Sequence, residues 1–191
     1  MVIGQGLIGN MALQFGKLAG GCPTVAVDAI EKRLAVSRRV GAEITINPRV
    51  DNVKDVLQAV TGKGGADVVL DGTGSPEAIH ACLDATAYRG RLVLLASSRG
   101  ETEKVNFYSD VHKKGLFVIG AHGDARPKVD RSAAWWSVWD DCDAVLRFMA
   151  AGRLNTKDLL TDVLSYQDAP KGYDMLLRAP ADHMGVLFDW R

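Results

Sequence analysis

Residues 1–28 read MVIGQGLIGNMALQFGKLAGGCPTVAVD, and they are the most informative part of the sequence about the fold class. A short apolar run leads into the pattern G-x-G-x-x-G at Gly4, Gly6 and Gly9, and apolar residues at helical spacing follow at once. A second apolar run ends at Asp28, which lies 19 residues after Gly9. The stretch therefore predicts a strand, a glycine turn, a helix and a second strand, which is the opening unit of a dinucleotide-binding α/β fold.

The rest of the chain repeats this alternation of apolar runs and helical stretches. Continuous apolar strands are typical of a parallel sheet that helices cover on both faces. We predict a doubly wound α/β fold with six parallel strands, a long helix that carries Trp135 and ends at Gly152, and a strand–helix–strand tail. The predicted domain boundary separates a dinucleotide-binding domain in residues 1–152 from a C-terminal segment in residues 153–191. The later strands of the sheet are predicted at residues 44–46, 67–71, 91–96 and 116–120.

The glycine turn has the residue types that a bound pyrophosphate requires. The first glycine, Gly4, permits a tight turn, Gly6 lets a phosphate approach the backbone, and Gly9 lets the helix pack close to the strand. The N-terminus of that helix offers free N–H groups and the positive end of its dipole. The alternative is a purely structural turn, because isolated glycine patterns are common.

Asp28 ends the second strand, where a carboxylate can accept hydrogen bonds from both hydroxyls of an adenosine ribose. A 2′-phosphate would meet a like charge there, so the sequence favours NAD over NADP. The alternative for Asp28 is the N-cap of the following helix. The glycine turn and Asp28 occur together, with Asp28 19 residues after Gly9, and this combination favours a bound nucleotide over two unrelated structural features.

Three further segments follow predicted strands and are predicted to contact the cofactor, because ligands of open α/β sheets bind at the carboxyl ends of the strands. The alternative is that these segments are simple turns. They contain Thr73, Ala96 with Ser97, and Gly120 with Ala121.

Composition excludes several functions. Lys and Arg number 23 and Asp and Glu also number 23, so the zero formal charge gives no support to nucleic-acid or polybasic membrane binding. No apolar run approaches the roughly 18 residues of a membrane span, and no secretory signal opens the chain, so we expect a cytoplasmic protein. The three cysteines and four histidines are scattered, so we predict no metal site and expect reduced, buried or half-buried thiols.

Several histidine, lysine and tryptophan side chains are expected to have no catalytic or substrate-binding role. His122 is predicted to be a solvated loop residue rather than a general base. Lys113 and Lys114 are predicted to form a solvated turn. The tryptophans at positions 135, 136 and 139 are expected in the core or in an interface rather than under a substrate.

Longer stretches resemble the zinc-type medium-chain dehydrogenases, which include alcohol, polyol and threonine dehydrogenases. The matching stretches are VIGQGLIGNMALQFGKLAG, TVAVDAIEKRLAVSRRVGAEITIN, GADVVLDGTGSPEAI and RGRLVLLA, and the closing segment is also similar. The resemblance covers nearly the whole chain. It implies a Rossmann sheet with strand order 3-2-1-4-5-6, bound NAD, and hydride transfer from an alcohol to NAD. It also implies a homo-oligomer formed through the edge of the sixth strand.

The same resemblance assigns cofactor contacts by position. Asp28 would bind the adenosine ribose, Arg33 would lie near the adenine, and Thr73, Ala96 and Ser97 would face the adenosine and nicotinamide portions. The residues that would hold the pyrophosphate are Gly4, Gly6, Leu7, Ile8 and Gly9.

The sequence departs from this family in one large respect. Family members begin with a catalytic domain that supplies the zinc ligands and a proton relay, and here no Gly-His-Glu motif or cysteine cluster occurs. Zinc is therefore expected only in a catalytic domain missing from this sequence, and no catalytic residue is assigned. We expect the chain by itself to be inactive. The alternatives are a stand-alone NAD(H)-binding module and a methyltransferase, although the acid that usually precedes a methyltransferase glycine loop does not occur in residues 1–3.

Overall fold

The computed structural model describes residues 1–132 and 135–191 of the chain. Within these residues the main sheet has six parallel strands in the order β3-β2-β1-β4-β5-β6. The strands of this sheet are β1 (Val2–Ile3), β2 (Val25–Val27), β3 (Ile44–Ile46), β4 (Ala66–Asp71), β5 (Thr86–Leu94) and β6 (Phe117–Gly120). The helices are α1 (Leu7–Leu18), α2 (Glu31–Arg39), α3 (Val53–Thr61), α4 (Ala78–Ala85), α5 (Val138–Ala150) and α6 (Ala169–Arg178).

The predicted fold class and strand order are confirmed. The two-residue strand β1 lies at the centre, where Val2 pairs with Ala26 of β2 on one side and with Leu70 of β4 on the other. The strand order reverses at this point, and such a switch point opens a crevice beyond the carboxyl ends of the strands. The main sheet therefore positions a cleft next to the glycine turn.

Helices cover both faces of the main sheet, as the apolar strands predict. On one face, Leu57 of α3 and Leu83 of α4 pack against Val69 and Leu92 of the sheet. On the other face, a second apolar cluster joins helices α1 and α2 to the sheet. Its buried members are Val2, Leu13, Ala26, Leu34, Val36, Val40 and Leu159.

The structure differs from the sequence predictions at several places. Strand β5 begins at Thr86 rather than at residue 91, because Thr86 pairs with Ala66 before the strand bulges and rejoins the ladder at Arg91. Helix α5 begins at Val138, where Ser137 forms a capping box with Asp140, so residue 135 precedes the helix. A π-helical turn, Phe107–His112, lies in a stretch where no element was predicted.

The prediction of a solvated turn at Lys113 and Lys114 is wrong for one of the two residues. Lys114 is half-buried, and its ammonium donates hydrogen bonds to the carbonyl oxygens of Leu83 at 2.6 Å and Asp84 at 3.3 Å. These carbonyls belong to the last turn of α4, where a cation satisfies free acceptors. Burial lowers the pKa of the Lys114 ammonium.

The C-terminal tail forms the predicted strand–helix–strand unit. Strands β7 (Leu160–Ser165) and β8 (Gly185–Asp189) pair in parallel, and α6 connects them. Leu159 is buried in the second core cluster, so the tail packs in part on the main sheet domain. Other apolar side chains of the tail are exposed, namely Leu160, Val163, Leu187 and Trp190.

The cysteines and tryptophans only partly follow the expectations. Cys82 is buried, whereas Cys22, in the turn after α1, and Cys142, on α5, are exposed. The tryptophans at positions 135, 136 and 139 are all more than half exposed, so the core alternative for them is wrong. Among the described residues, no helix has both the length and the apolar character that crossing a membrane requires.

Candidate functional site

A cleft of about 540 Å³ opens at the carboxyl ends of β1, β2 and β4. It is the crevice that the reversed strand order creates, and it brings together residues that are distant in sequence. Five of the residues assigned to the cofactor line it, namely Gly4, Gly6, Asp28, Arg33 and Thr73.

The glycine turn packs too closely for side chains at two of its positions. Gly4 has a φ of +88°, and a Cβ there would lie 2.8 Å from the backbone of Gly72. A Cβ at Gly9 would lie 1.7 Å from the carbonyl oxygen of Gly4. Both glycines are therefore required where α1 approaches β1 and β4.

Gly6, unlike Gly4 and Gly9, has open space where a side chain would lie. It occupies the N-cap position of α1, and a Cβ there would meet nothing within 4 Å. The first N–H groups of any α-helix lack an intrahelical acceptor, and Gly6 has no side chain to cap those of α1. The side chains of Leu7 and Ile8 are exposed beside this opening, while Gly9 is buried behind it.

The carboxylate of Asp28 is buried and holds two parts of the backbone. Its Oδ2 accepts a hydrogen bond from the N–H of Gln5 at 2.7 Å, and its Oδ1 accepts one from the N–H of Ile30 at 2.8 Å. Helix α2 itself is capped by Ile30 without a side-chain bond. Asp28 therefore ties the glycine turn to the start of α2 and still faces the cleft.

Arg33 lies on α2 beside this carboxylate. Its Nη1 is 3.7 Å from Asp28 Oδ2, and its Nη2 donates a hydrogen bond to the carbonyl oxygen of Pro180 at 2.7 Å. The guanidinium is half-buried, and its Nε has no hydrogen-bond partner among the described residues. Arg33 thus places a positive charge on the wall of the cleft.

A second cleft of about 330 Å³ lies at the carboxyl ends of β5 and β6. It is lined by Ala96, Ser97, Gly120 and Ala121, four further residues assigned to the cofactor. His122 also lines it, but its ring is exposed and its Nδ1 accepts a hydrogen bond from the N–H of Asp124 at 3.2 Å. This contact belongs to a solvated turn, as predicted for His122.

Sequence reasoning missed Asp71, the fully buried acid at the end of β4. Its Oδ1 accepts hydrogen bonds from the N–H of Thr73 at 2.9 Å and from the hydroxyl of Thr73 at 2.7 Å. Its Oδ2 accepts one from the hydroxyl of Ser98 at 3.3 Å. Asp71 therefore fixes both the loop after β4 and the loop after β5. An acid at the end of an apolar strand, as at Asp28, was the available signal.

A buried polar network behind the glycine turn was also missed. The hydroxyl of Ser37 donates to Asn10 Oδ1 at 2.8 Å, and Asn10 Nδ2 donates to the carbonyl oxygen of Gln5 at 2.7 Å. Gln5 Nε2 donates to the carbonyl oxygen of Val2 at 2.8 Å. Buried polar groups that are satisfied in this way rigidify a site. No periodic pattern marks these side chains.

Cys82 lies in the core next to Asp71. Burial raises the pKa of its thiol to about 12, and the charge of Asp71 adds to the effect. The thiol is therefore protonated at neutral pH, which excludes it as a thiolate nucleophile or metal ligand.

The residues described here do not fit a zinc ion. No group of three or more His, Cys, Asp or Glu side chains converges within residues 1–132 and 135–191. Zinc requires such a set of nitrogen, sulfur or oxygen ligands.

Comparisons with known proteins agree with the fold. A family model described as zinc-binding dehydrogenase matches residues 8–137. The chain is 29% identical over 173 residues to D-guloside 3-dehydrogenase of Escherichia coli (strain K12), covering 91% of the chain and 49% of that protein. It is 30% identical over 175 residues to L-threonine 3-dehydrogenase of Bacillus velezensis, covering 92% of the chain and 47% of that protein.

A solved structure shares the fold. It is described as a short chain alcohol dehydrogenase from Escherichia coli CFT073 complexed with the cofactor NADH, and it matches with a TM-score of 0.79 at 17% identity. The match covers 99% of the chain and 51% of that structure. The chain spans about half the length of the curated relatives that it matches.

Proposed function

Because the chain belongs to the zinc-binding dehydrogenase family and corresponds to its cofactor-binding part, we propose that it binds NAD(H) in the cleft beside the glycine turn. One observation carries the proposal: the open approach at Gly6 and the buried carboxylate of Asp28 line the same cleft. A pyrophosphate needs backbone access and free N–H groups, and an adenosine ribose needs a fixed carboxylate.

Each group of the cleft has a defined task in this proposal. The first N–H groups of α1, at Leu7, Ile8 and Gly9, donate to the pyrophosphate. The carboxylate of Asp28 accepts hydrogen bonds from the ribose hydroxyls with the lone pairs that Gln5 and Ile30 leave free. The same negative charge repels a 2′-phosphate, so we propose a preference for NAD over NADP.

The remaining assigned residues line the route toward the second cleft. Asp71 holds Thr73 in place, and the loop after β4 packs beside Ser97, since a Cβ at Gly74 would lie 3.4 Å from the Ser97 carbonyl oxygen. We propose that Thr73, Ala96 and Ser97 face the adenosine and nicotinamide portions and that Gly120 and Ala121 close the far end. In the longer protein, a nicotinamide held there would supply the hydride acceptor for an alcohol.

We propose that alcohol oxidation belongs to a longer protein and that this chain alone binds the cofactor without turnover. The relatives oxidise CH–OH groups by name, but the chain spans only about half of their length. The described residues also provide no set of zinc ligands. The substrate class proposed for the whole enzyme is a small alcohol or polyol.

Calorimetric titration with NADH, followed by NADPH, tests this function beside an assay of alcohol oxidation. Saturable NADH binding, weaker NADPH binding and no oxidation are expected. A folded chain that binds neither nucleotide would contradict the proposal. Turnover of an alcohol by the chain alone would contradict its second part.

We also propose a homo-oligomer through β6 and a boundary between two units near Gly152. One edge of β6 pairs with β5, and its apolar residues Phe117, Val118 and Ile119 are exposed. Exposed apolar edge strands readily pair with another chain. Gly152, with a φ of +66°, follows the end of α5 and precedes the tail.

A further inference from the structure

The loop between α6 and β8, residues 179–184, reaches back across the molecule to α2. The carbonyl oxygen of Pro180 accepts a hydrogen bond from Arg33 Nη2 at 2.7 Å. The carboxylate of Asp182 forms an ion pair with the ammonium of Lys32. Neighbouring residues of α2 are thus held by neighbouring positions of this loop.

The loop has a defined conformation of its own. The N–H of Asp182 donates to the carbonyl oxygen of Ala179 at 2.9 Å, which closes a turn around Pro180. His183 Nδ1 lies 2.8 Å from Asp162 Oδ2, and the N–H of Met184 donates to the hydroxyl of Thr161 at 3.0 Å. The loop is therefore attached to β7 on one side and to α2 on the other.

Arg33 is the link between this loop and the cleft. Its guanidinium lies between two acceptors, with Nη1 at 3.7 Å from the Asp28 carboxylate and Nη2 on the Pro180 carbonyl. An arginine side chain has many rotamers, and fixing it costs entropy unless contacts hold it. Within residues 1–132 and 135–191, the Pro180 carbonyl accepts the one hydrogen bond that holds the guanidinium from outside the cleft.

The tail has other attachments, so the loop contacts can be altered without releasing it. Asn155 donates its N–H to Gln14 Oε1 at 2.7 Å, and Gln14 Nε2 donates to the Asn155 carbonyl oxygen at 3.2 Å. Arg39 Nε lies 3.5 Å from Asp158 Oδ1, and Leu159 is buried in the core. These contacts lie outside residues 179–184.

We infer that residues 179–184 are a positioning element for the nucleotide cleft: the Pro180 carbonyl, kept in place by the Asp182–Lys32 ion pair, orients Arg33 for a bound adenosine nucleotide. This inference rests on the proposed function. Because coupling between two sites is reciprocal, a nucleotide that contacts the oriented Arg33 also stabilises the docked loop. Asp182 and Pro180 act through Arg33 and touch no ligand themselves.

The test compares Lys32→Glu with the charge-swapped double variant Lys32→Glu/Asp182→Lys. Lys32 lies in the first turn of α2, where a glutamate suits the helix dipole, so the helix is retained. Asp174→Asn, which breaks an ion pair with Arg178 on the surface of α6, is the matched control. The readouts are NADH affinity by calorimetry and hydrogen exchange of residues 181–184 with and without NADH.

NADH is expected to slow exchange of residues 181–184 in the wild type. Lys32→Glu is expected to speed this exchange and to weaken NADH binding about two- to fivefold, the range of an exposed ion pair. The double variant restores both readouts, and Asp174→Asn changes neither. The inference would be overturned if Lys32→Glu bound NADH with wild-type affinity and NADH did not alter hydrogen exchange of residues 181–184. The proposed function would be unaffected by that result. A wild type that binds no NADH would overturn both.

Discussion

The Asp28 carboxylate and the backbone N–H of Gln5 lie 2.7 Å apart, which joins the acid at the end of β2 to the glycine turn. The two residues meet because β1 and β2 are neighbours in register. The same carboxylate accepts the N–H of Ile30, so one side chain orients both walls of the cleft. A substitution at Asp28 therefore affects the shape of the site as well as its charge.

Asp28→Asn is expected to reduce NADH affinity about tenfold and to narrow the preference for NADH over NADPH. A hydrogen bond to a charged group contributes about 1.5–3 kcal/mol, and the neutral amide no longer repels a 2′-phosphate. Calorimetric titration with both nucleotides measures the effect. Asp143→Asn, which removes an exposed carboxylate on α5, is the control and leaves both affinities unchanged. Equal affinities in Asp28→Asn and wild type would exclude a role in binding the ribose.

Gly6→Ala is expected to fold normally and to bind NADH poorly. The added Cβ meets no protein atom within 4 Å but projects into the opening proposed for the pyrophosphate. Alanine is a poorer N-cap than glycine, so the substitution itself costs up to about 1 kcal/mol of stability. Thermal unfolding measures the effect on stability, and NADH titration measures the effect on binding. Gly16→Ala, in the last turn of the same helix, is the control, since a Cβ there also meets nothing within 4 Å. Unimpaired NADH binding by Gly6→Ala would argue against this route for the pyrophosphate.

Gly9→Ala is expected to destabilise the fold by about 3 kcal/mol or more, because overpacking of this kind displaces backbone. The new Cβ would lie 1.7 Å from the carbonyl oxygen of Gly4, so α1 would have to move away from β1. Urea unfolding measures the loss. A stability within 0.5 kcal/mol of wild type, roughly the value for surface substitutions, would contradict this packing.

Asp71→Ala is expected to destabilise the protein by about 1–3 kcal/mol, since it leaves the N–H of Thr73 without its acceptor. The loops after β4 and β5 would also lose their common anchor. Urea unfolding measures the change. Asp67→Ala, on the same strand but with an exposed side chain, is the control and costs less than about 0.5 kcal/mol. Similar losses in the two variants would show that Asp71 has no special role.

The thiols are expected to react in two classes. Because burial raises the pKa of Cys82 to about 12, a thiol reagent at pH 8 labels the exposed Cys22 and Cys142 and leaves Cys82 until the protein unfolds. The raised pKa contributes stability below the ordinary cysteine pKa of about 8.5, and this contribution declines as pH rises toward about 12. Mass spectrometry of the labelled protein identifies the sites. Rapid labelling of Cys82 in the folded protein would contradict its burial.

Ile119→Lys is expected to convert an oligomer into a monomer, because it places a charge on the exposed edge strand β6. Sedimentation velocity measures the association state. Val50→Lys, at an exposed apolar position in the loop after β3, is the control and keeps the oligomer. A wild type that sediments as a monomer would contradict the proposed assembly.

The sequence predicted the main sheet well because its signals are local. Each apolar run of three to six residues marks a strand, and Gly4, Gly6 and Gly9 mark the turn that α1 follows. The predicted start of β5 was wrong because the bulge before Arg91 depends on pairing with β4. Composition did not separate the buried Cys82 of α4 from the exposed Cys22 in the turn after α1, because burial depends on how these elements pack.

The fold class, the glycine turn and the acid that follows it can be read from the sequence, because these features are periodic or spaced by short, fixed distances along the chain. The polar groups that complete the cleft become visible only in the folded protein. Asp71 meets Ser98 across 27 residues, and Arg33 meets Pro180 across 147 residues. Such contacts arise when helices, strands and loops pack against one another, and the local sequence around one residue does not indicate its partner.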